Sequence, residues 1–296
     1  MPSVYENIRS NQRKTIFLIS VFLCFIVILG WFLSQVFGND YILYFAIFFA
    51  LFQSFLSYWY SHKIPVWLAG AKEISKKDNP KIYRLVENLA ISAGMPTPKI
   101  FIAPERQPNA FAAGRDEKHS VIVLNQGLID LLDDKEIEGV IAHELSHIKN
   151  RDVLIASVAV VLVSFVALLS NFAFRLAFFG GMRRNERGGQ NPLVLIFFFV
   201  VIILAPIIAQ LIQFAISRKR EFLADSSAVL LTRYSQGLIS ALEKISQNRI
   251  PLRNQNPALA SLYICNPFKE KNWFLNLFST HPPVEKRIEE LRKISF

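Results

Sequence analysis

Hydrophobic and polar positions are distributed unevenly along this chain, because long apolar runs separate segments of mixed polarity. Four runs carry no charged residue, and they cover residues 15–37, 41–61, 153–174 and 188–217. Each is long enough to cross a hydrocarbon layer of about 30 Å, for which a helix needs roughly 20 apolar residues. The pattern therefore predicts about four apolar helical spans, with helices buried in a large soluble core as the alternative.

The composition favours membrane spans. Hydrophobic residues make up 52% of the 296 residues and charged residues 19%, whereas about 25% of an average soluble domain is charged. This balance excludes a disordered, a collagen-like or a disulfide-built chain. Cys24 lies inside an apolar run, so neither a pairing with Cys265 nor a cysteine-based metal site is expected. The net charge of +10 fits basic residues beside membrane segments, so a lipid bilayer is the expected partner and nucleic acid is not.

The first two runs are predicted to form an N-terminal membrane anchor, residues 1–62. The first run is longer than the roughly 7–15 residue apolar core of a cleaved signal peptide. Lysine and arginine are absent from the loop 34–40 but present on both outer sides, at Arg9 and Arg13 and again from Lys63 onward. Because cytoplasmic loops carry the excess of basic residues, the N-terminus and everything after the second run are expected in the cytoplasm.

The second pair of runs is predicted to form an apolar helical hairpin with two spans, residues 153–217. If both runs cross the bilayer, the loop that carries Arg183, Arg184 and Arg187 is exported. That placement conflicts with the preference of basic residues for the cytoplasmic side. A return path within the membrane and an unusual loop both stay open.

The polar segments, residues 63–152 and 218–296, are predicted to form the two parts of one cytoplasmic α+β domain. Asn79, followed by Pro80, begins an amphipathic helix over residues 79–93, because this pair combines a capping side chain with a first-turn proline. Short runs rich in β-branched residues predict strands at 99–103, 120–124 and, at an edge of the sheet, 109–113. The second part contains at least two further helices.

A helix predicted over residues 134–151 carries the motif with the clearest chemistry. It contains the sequence His143-Glu144-Leu145-Ser146-His147. Histidines at i and i+4 lie on one face of a helix, close enough to bind one metal ion. Glu144 then lies beside the metal, where a carboxylate can take a proton from water. Surface histidines on an amphipathic helix are the alternative, but only five histidines occur in the chain, so a chance match is rare.

A third metal ligand is expected from a separate helix. Catalytic zinc sites usually have three protein ligands and one position open to water, and no histidine follows His147 at a suitable spacing. Glu221 and Asp225 follow the fourth apolar run, and their spacing puts both on one helical face. We expect Glu221 to complete a site for one Zn²⁺ ion per chain, and Asp225 to orient a ligand imidazole. Acids that only offset neighbouring basic residues are the alternative.

With these motifs the chain resembles the HtpX-type heat-shock membrane zinc metalloproteases. These are relatives of the CAAX prenyl endopeptidase and belong to the gluzincin class. The resemblance covers essentially the whole chain and includes the two N-terminal spans. It implies a zincin-like metalloprotease domain, zinc metalloendopeptidase activity and a location in the bacterial inner membrane.

Two further segments carry this resemblance. The segment from Pro108 to Gly114 resembles the family's edge strand, on which a peptide substrate lies as an added strand. The resemblance therefore implies that substrate is bound by Asn109, Ala110, Phe111 and Ala112. The sequence Thr280-His281-Pro282-Pro283 resembles the family's C-terminal signature, which implies that His281 steadies the oxyanion or positions substrate. A plain turn and strand, and a helix start at which His281 is structural, are the alternatives.

The predicted function is cleavage of peptide bonds in membrane or misfolded proteins on the cytoplasmic side, as protein quality control. A processing protease with a narrow target, such as a prenylated peptide, is the alternative. A non-catalytic zinc-binding membrane protein would need no general base, yet Glu144 is present. An intramembrane protease is disfavoured because acidic residues precede the histidine motif, and a transporter because the four runs contain no ionisable group.

Overall fold

Two long apolar helices form the N-terminal part of the chain. The computed structural model describes residues 4–179, 218–248, 250, 259, 262–265 and 282–294. Helix α1 (Val4–Phe37) and helix α2 (Tyr41–Trp59) pack as a hairpin. A methyl group at Gly30 would overlap Ala46, so small residues permit the close approach of the two helices. Both are long and apolar enough to cross a membrane, as the first two runs predict.

The third apolar run is also a helix, but its first half is enclosed by protein. Helix α7 (Asp152–Phe179) packs Leu154, Val158 and Leu162 against α1 and α2. Its Val160 packs against a β-sheet, on the face that carries Phe111 and Val123. Whether α7 crosses a bilayer stays a prediction. The fourth run and the arginines of the preceding loop lie outside the described residues.

The sheet has four strands in the order β1-β2-β4-β3. They are β1 (Lys72–Glu73), β2 (Lys99–Ala103), β3 (Ala110–Gly114) and β4 (Ser120–Asn125). Strands β2 and β4 are parallel, and β3 pairs with β4 in antiparallel register at the edge. Successive side chains of a strand face opposite sides, so Ala112 and Ile122 face one core while Phe111 and Val123 face the other.

Helices cover the face of the sheet that carries Ala112 and Ile122. The remaining described helices are α3 (Lys63–Leu68), α4 (Pro80–Ala93), α5 (Gln126–Leu131), α6 (Asp134–Lys149), α8 (Arg218–Thr232), α9 (Ser235–Gln247) and α10 (Val284–Arg292), together with a 3-10 turn at Glu117–His119. The Asn79 side chain accepts a hydrogen bond from the Ile82 backbone and caps α4, as expected. Helix α6 lies at the centre, because α4, α8, α9 and β3 all pack on it.

Helix α6 has a well-defined start and end. At its start, the Asp133 side chain accepts from the backbone nitrogens of Lys135 and Glu136, and the Glu136 side chain accepts from the Asp133 nitrogen. This reciprocal capping satisfies donors that a helix start leaves open. The helix ends at Lys149, two residues before the predicted end, and Arg151 has a φ of 56°. This left-handed residue turns the chain so that α7 begins at Asp152, directly after α6.

We expect Gly139→Ala to destabilise the protein by about 1–2 kcal/mol. A Cβ at this position would lie 2.8 Å from the backbone nitrogen of Leu238 and 3.0 Å from its Cα. Overpacking of this kind costs about 1–3 kcal/mol and outweighs the helix-propensity gain of about 1 kcal/mol. Thermal unfolding in detergent measures the effect, with Lys135→Ala on the exposed side of α6 as the control. An unchanged midpoint for Gly139→Ala would contradict the close contact.

Candidate active site

Helices α6 and α8 bring two imidazoles and a carboxylate together. His143 and His147 lie one turn apart on α6, and Glu221 lies in the first turn of α8. The Nε2 atoms of the histidines are 3.2 Å apart, and the Glu221 oxygens lie 3.5 Å from Nε2 of His147 and 3.7 Å from Nε2 of His143. The potential ligand atoms all lie within 4.8 Å of one another, which is close enough for one metal ion.

The other ring nitrogen of each histidine faces a carboxylate. Nδ1 of His143 lies 2.9 Å from Oδ1 of Asp225, and Nδ1 of His147 lies 3.2 Å from Oδ2 of Asp152. A carboxylate accepts a hydrogen bond, so each Nδ1 carries a proton and each Nε2 is the ring atom left to bind a metal ion. Two imidazole nitrogens and one carboxylate therefore form a donor set that fits a metal ion with one further position for a reactant.

Arg287 on α10 holds the carboxylate of Asp225 with two hydrogen bonds. Its Nε lies 2.8 Å from Oδ2 of Asp225, and its Nη2 lies 2.7 Å from Oδ1. Its Nη1 donates to the Ile264 carbonyl at 2.8 Å. Burial acts to raise the pKa of Asp225, but the Arg287 charge and its hydrogen bonds overcome that effect and hold this pKa well below its usual range. Asp225 is therefore charged when it faces His143.

The two histidines have opposite electrostatic environments. Burial lowers the pKa of His143 to about 4, because desolvation outweighs the hydrogen bond to Asp225. Burial also acts to lower the pKa of His147, but the charges of Glu221 and Asp152 raise it to about 9. Positive charge is thus stabilised more strongly at His147 than at His143. A metal cation at the shared Nε2 position would meet the same negative field.

Glu144 lies in the same buried site and faces a cavity with two of the potential ligands. The cavity is lined by Glu144, His147 and Glu221, and by Ala112 of β3. The Glu144 carboxylate accepts a hydrogen bond from the backbone of Ala112, and burial raises the pKa of Glu144 to about 7. A carboxyl group with this pKa can both accept and return a proton near neutral pH.

Of the four residues that the resemblance implies for substrate binding on the edge strand, Ala112 lines this cavity, and the others contact residues 263–265. The Asn109 side chain donates to the Cys265 carbonyl at 3.0 Å. The Ala110 carbonyl accepts from the Ile264 nitrogen at 3.1 Å. Phe111 is fully buried and makes an edge contact with the Tyr263 ring, at 5.7 Å between centroids. His281 lies outside the described residues.

Two contacts of this site, at Asp152 and Arg287, do not follow from the sequence pattern. Asp152 follows His147 by five residues, beyond the end of α6, and the spacing alone does not show that a turn brings it back to the imidazole. Arg287 lies in the helix that follows Pro283, and nothing in its spacing points to Asp225. Both carboxylate contacts depend on tertiary packing.

Comparison with known proteins places these features in a family. Peptidase family M48 matches residues 76–295. A relative named Protease HtpX homolog from Dictyoglomus thermophilum is 44% identical over 293 residues, which are 97% of this chain and 94% of the relative. One of the same name from Pyrococcus furiosus is 48% identical over 248 residues, with 83% of this chain and 84% of the relative covered.

A solved structure shows a similar fold. The crystal structure of S. mikatae Ste24p matches with a TM-score of 0.51 and 21% identity, and the match covers 93% of this chain. This chain spans 62% of the length of that protein. The family match includes the histidine motif, Glu221 and Asp225, and the HtpX relatives extend over the apolar N-terminal helices as well. The chain therefore belongs to peptidase family M48 and is a membrane-associated metalloendopeptidase.

Proposed function

We propose that this chain is a zinc-dependent endopeptidase that cuts membrane or misfolded proteins on the cytoplasmic side of the bacterial inner membrane, as quality control. The observation that carries the proposal is the convergence of His143, His147 and Glu221, with Glu144 facing the same cavity. Two imidazoles and a carboxylate are typical of catalytic zinc sites, which keep one position open. One zinc ion per chain would be held by these three residues.

The side chains around the ligands have separable roles in the proposed reaction. When bound, zinc polarises the scissile carbonyl and makes water easier to deprotonate. Glu144 takes the proton from the attacking water and gives it to the leaving amine, a task suited to a pKa of about 7. Asp225 and Asp152 keep the Nδ1 protons of the two histidines in place. Arg287 fixes Asp225.

The substrate peptide is proposed to run past the edge strand β3. Residues 110, 112 and 114 turn their backbone groups to the outer edge, because the Asn125 nitrogen bonds the Asn109 carbonyl and sets the alternation with β4. The Ala110 carbonyl already accepts from the Ile264 nitrogen and the Gly114 nitrogen donates to the Ser157 hydroxyl, so the contact with substrate is proposed at Ala112. Ala112 lies on this edge beside Glu144 and lines the cavity. Main-chain contacts to such an edge give loose sequence preference. Asn109, Ala110 and Phe111 would hold the strand in position, and His281 would contact substrate.

Contacts between the edge strand and the membrane helices support a membrane substrate. Arg115 follows β3 directly, and its guanidinium lies 4.2 Å from the centre of the Trp59 ring at the end of α2. Trp59, Tyr60 and Trp67 are exposed, as is typical of aromatic residues at a membrane surface. Arg115 lies three positions after Ala112, about 10 Å along an extended chain. The proposed cleavage position is therefore close to the bilayer surface.

We expect Glu144→Gln to reduce cleavage of casein by at least about 100-fold, because the amide cannot accept the proton of water. Zinc content should stay at one ion per chain. A peptide-release assay and metal analysis on detergent-solubilised protein measure both effects. Glu138→Gln, on the same helix and paired with Lys135, is the matched control. Undiminished cleavage by Glu144→Gln would show that this carboxylate is not the general base.

We expect His147→Gln and Glu221→Gln to lose most of the bound zinc, because each removes one of three ligands. Metal analysis after dialysis measures the zinc content, and a chelator should stop cleavage by the wild-type protein. His119→Gln is the control, because this exposed histidine pairs with Asp116 on the surface. Full zinc content in both ligand variants would refute the proposed ligand set.

We expect cleavage of a single-span membrane protein to fall as the linker between its span and a cleavable sequence is lengthened. The Arg115–Trp59 contact holds the edge strand near the membrane surface. Arg115→Ala should slow this cleavage about fivefold, since a cation–π contact is worth about 1 kcal/mol. Cleavage of a soluble peptide should change little, and Lys118→Ala on the exposed turn is the control. Rates that do not depend on linker length would contradict membrane-proximal cleavage.

A further inference from the structure

A chain of buried hydrogen bonds connects the candidate metal centre to the first membrane helix. Asp152 faces Nδ1 of His147 with its Oδ2 atom at 3.2 Å. Its other oxygen, Oδ1, accepts a hydrogen bond of 2.7 Å from the Nδ2 atom of Asn11 on α1. Asp152 and Asn11 are both buried. The carboxylate that orients one metal-binding imidazole is therefore itself held by a side chain of the membrane anchor.

The amide of Asn11 connects three other helices at this point. Its Nδ2 also donates to the carbonyl of Asn150, at the end of α6, at 3.2 Å. Its Oδ1 accepts from Nη1 of Arg220 on α8 at 2.9 Å. Arg220 lies directly before Glu221, and its Nη1 is also 3.3 Å from Oδ1 of Asp152. Asn11 thus contacts the end of α6 and the first turns of α7 and α8. Of these three helices, α6 and α8 carry the potential metal ligands.

The two histidines are supported by different parts of the protein. Behind His143, Asp225 is held by Arg287 of the catalytic domain. Behind His147, Asp152 is held by Asn11 of the anchor and by Arg220. A buried carboxylate needs such donors, because a donor that is lost leaves a desolvated charge with fewer partners. The second arrangement is complete only when α1 lies in its observed place.

We propose that helix α1 is a functional part of the metal centre, in which Asn11 is a positioning residue that fixes Asp152 and through it His147. This inference rests on the proposed zinc site. It implies that the protein retains its metal firmly only while α1 is packed against α6, α7 and α8. Loss of the anchor would then weaken metal binding as well as membrane attachment, and would confine peptidase activity to the intact membrane protein.

The test measures zinc affinity of the full chain in detergent, by competition with a chromophoric chelator. Asn11→Leu keeps the approximate side-chain volume and removes the donor to Asp152. We expect its zinc dissociation constant to rise about tenfold, the low end of the range for changes to hydrogen-bond partners of ligands. The visible absorption spectrum of the Co²⁺-substituted protein should also shift. Thr15→Val is the matched control, since Thr15 is buried on the same helix and its hydroxyl bonds only the Asn11 carbonyl of that helix.

A double-mutant cycle separates positioning from general destabilisation. If Asn11 acts through Asp152, Asp152→Ala alone and Asp152→Ala with Asn11→Leu should bind zinc equally, since coupled residues are not additive. Zinc binding by Asn11→Leu within twofold of the wild type, or additive losses in the cycle, would overturn the inference. If Asn11→Leu does not accumulate, Asn11→Ser gives the same comparison. Failure of the wild-type chain to bind zinc, or full binding by His147→Gln, would instead refute the proposed zinc site.

Discussion

Burial of charge is the constraint on which the rest of this structure depends. Glu144, Glu221 and Asp225 are almost inaccessible to water, and Arg287 is completely so. A desolvated charge costs several kcal/mol unless partners compensate it. The Asp225–Arg287 pair and the carboxylates that face the two imidazoles supply this compensation. They come from α6, α7, α8 and α10, so the site can form only when these helices, which lie far apart in the sequence, pack together.

Features that depend on neighbouring residues could be predicted from the sequence. The strands β2 and β4 follow from β-branched runs, and α4 begins where Asn79 can cap it. The spacing of His143 and His147 places both on one face of α6 whatever surrounds the helix. Glu221 could be selected because a three-ligand site needs one more donor, and the structure places it 3.5 Å from His147. For the strands, the cap and the histidine pair local geometry decides the outcome, whereas Glu221 follows from the number of ligands that a metal site needs.

Other features could not be predicted, because they depend on packing between distant segments. The contacts of Asp152 with His147 and Asn11 require the turn at Arg151. The backbone of Arg151 is left-handed, a conformation that glycine usually indicates in a sequence, but this position is an arginine. A run that is apolar on all sides indicates a membrane span, but it fits equally a helix covered by protein on both sides. The first half of α7 contacts the sheet as well as the helices α1 and α2, and the apolar pattern alone does not show these contacts.

The position of α7 shows that the N-terminal helices α1 and α2 are not independent of the candidate active site. Its first residue, Asp152, faces a potential metal ligand, and the turns that follow contact α1 and α2 on one side and the sheet on the other. A shift of α1 and α2 would therefore move the start of α7, because closely packed interiors transmit displacement rather than absorb it. The same helix also lines the cavity through Val153 and Ala156. The packing of α1 and α2 on α7 is therefore linked to the position of Asp152 beside His147 and to the wall of the cavity beside Glu144.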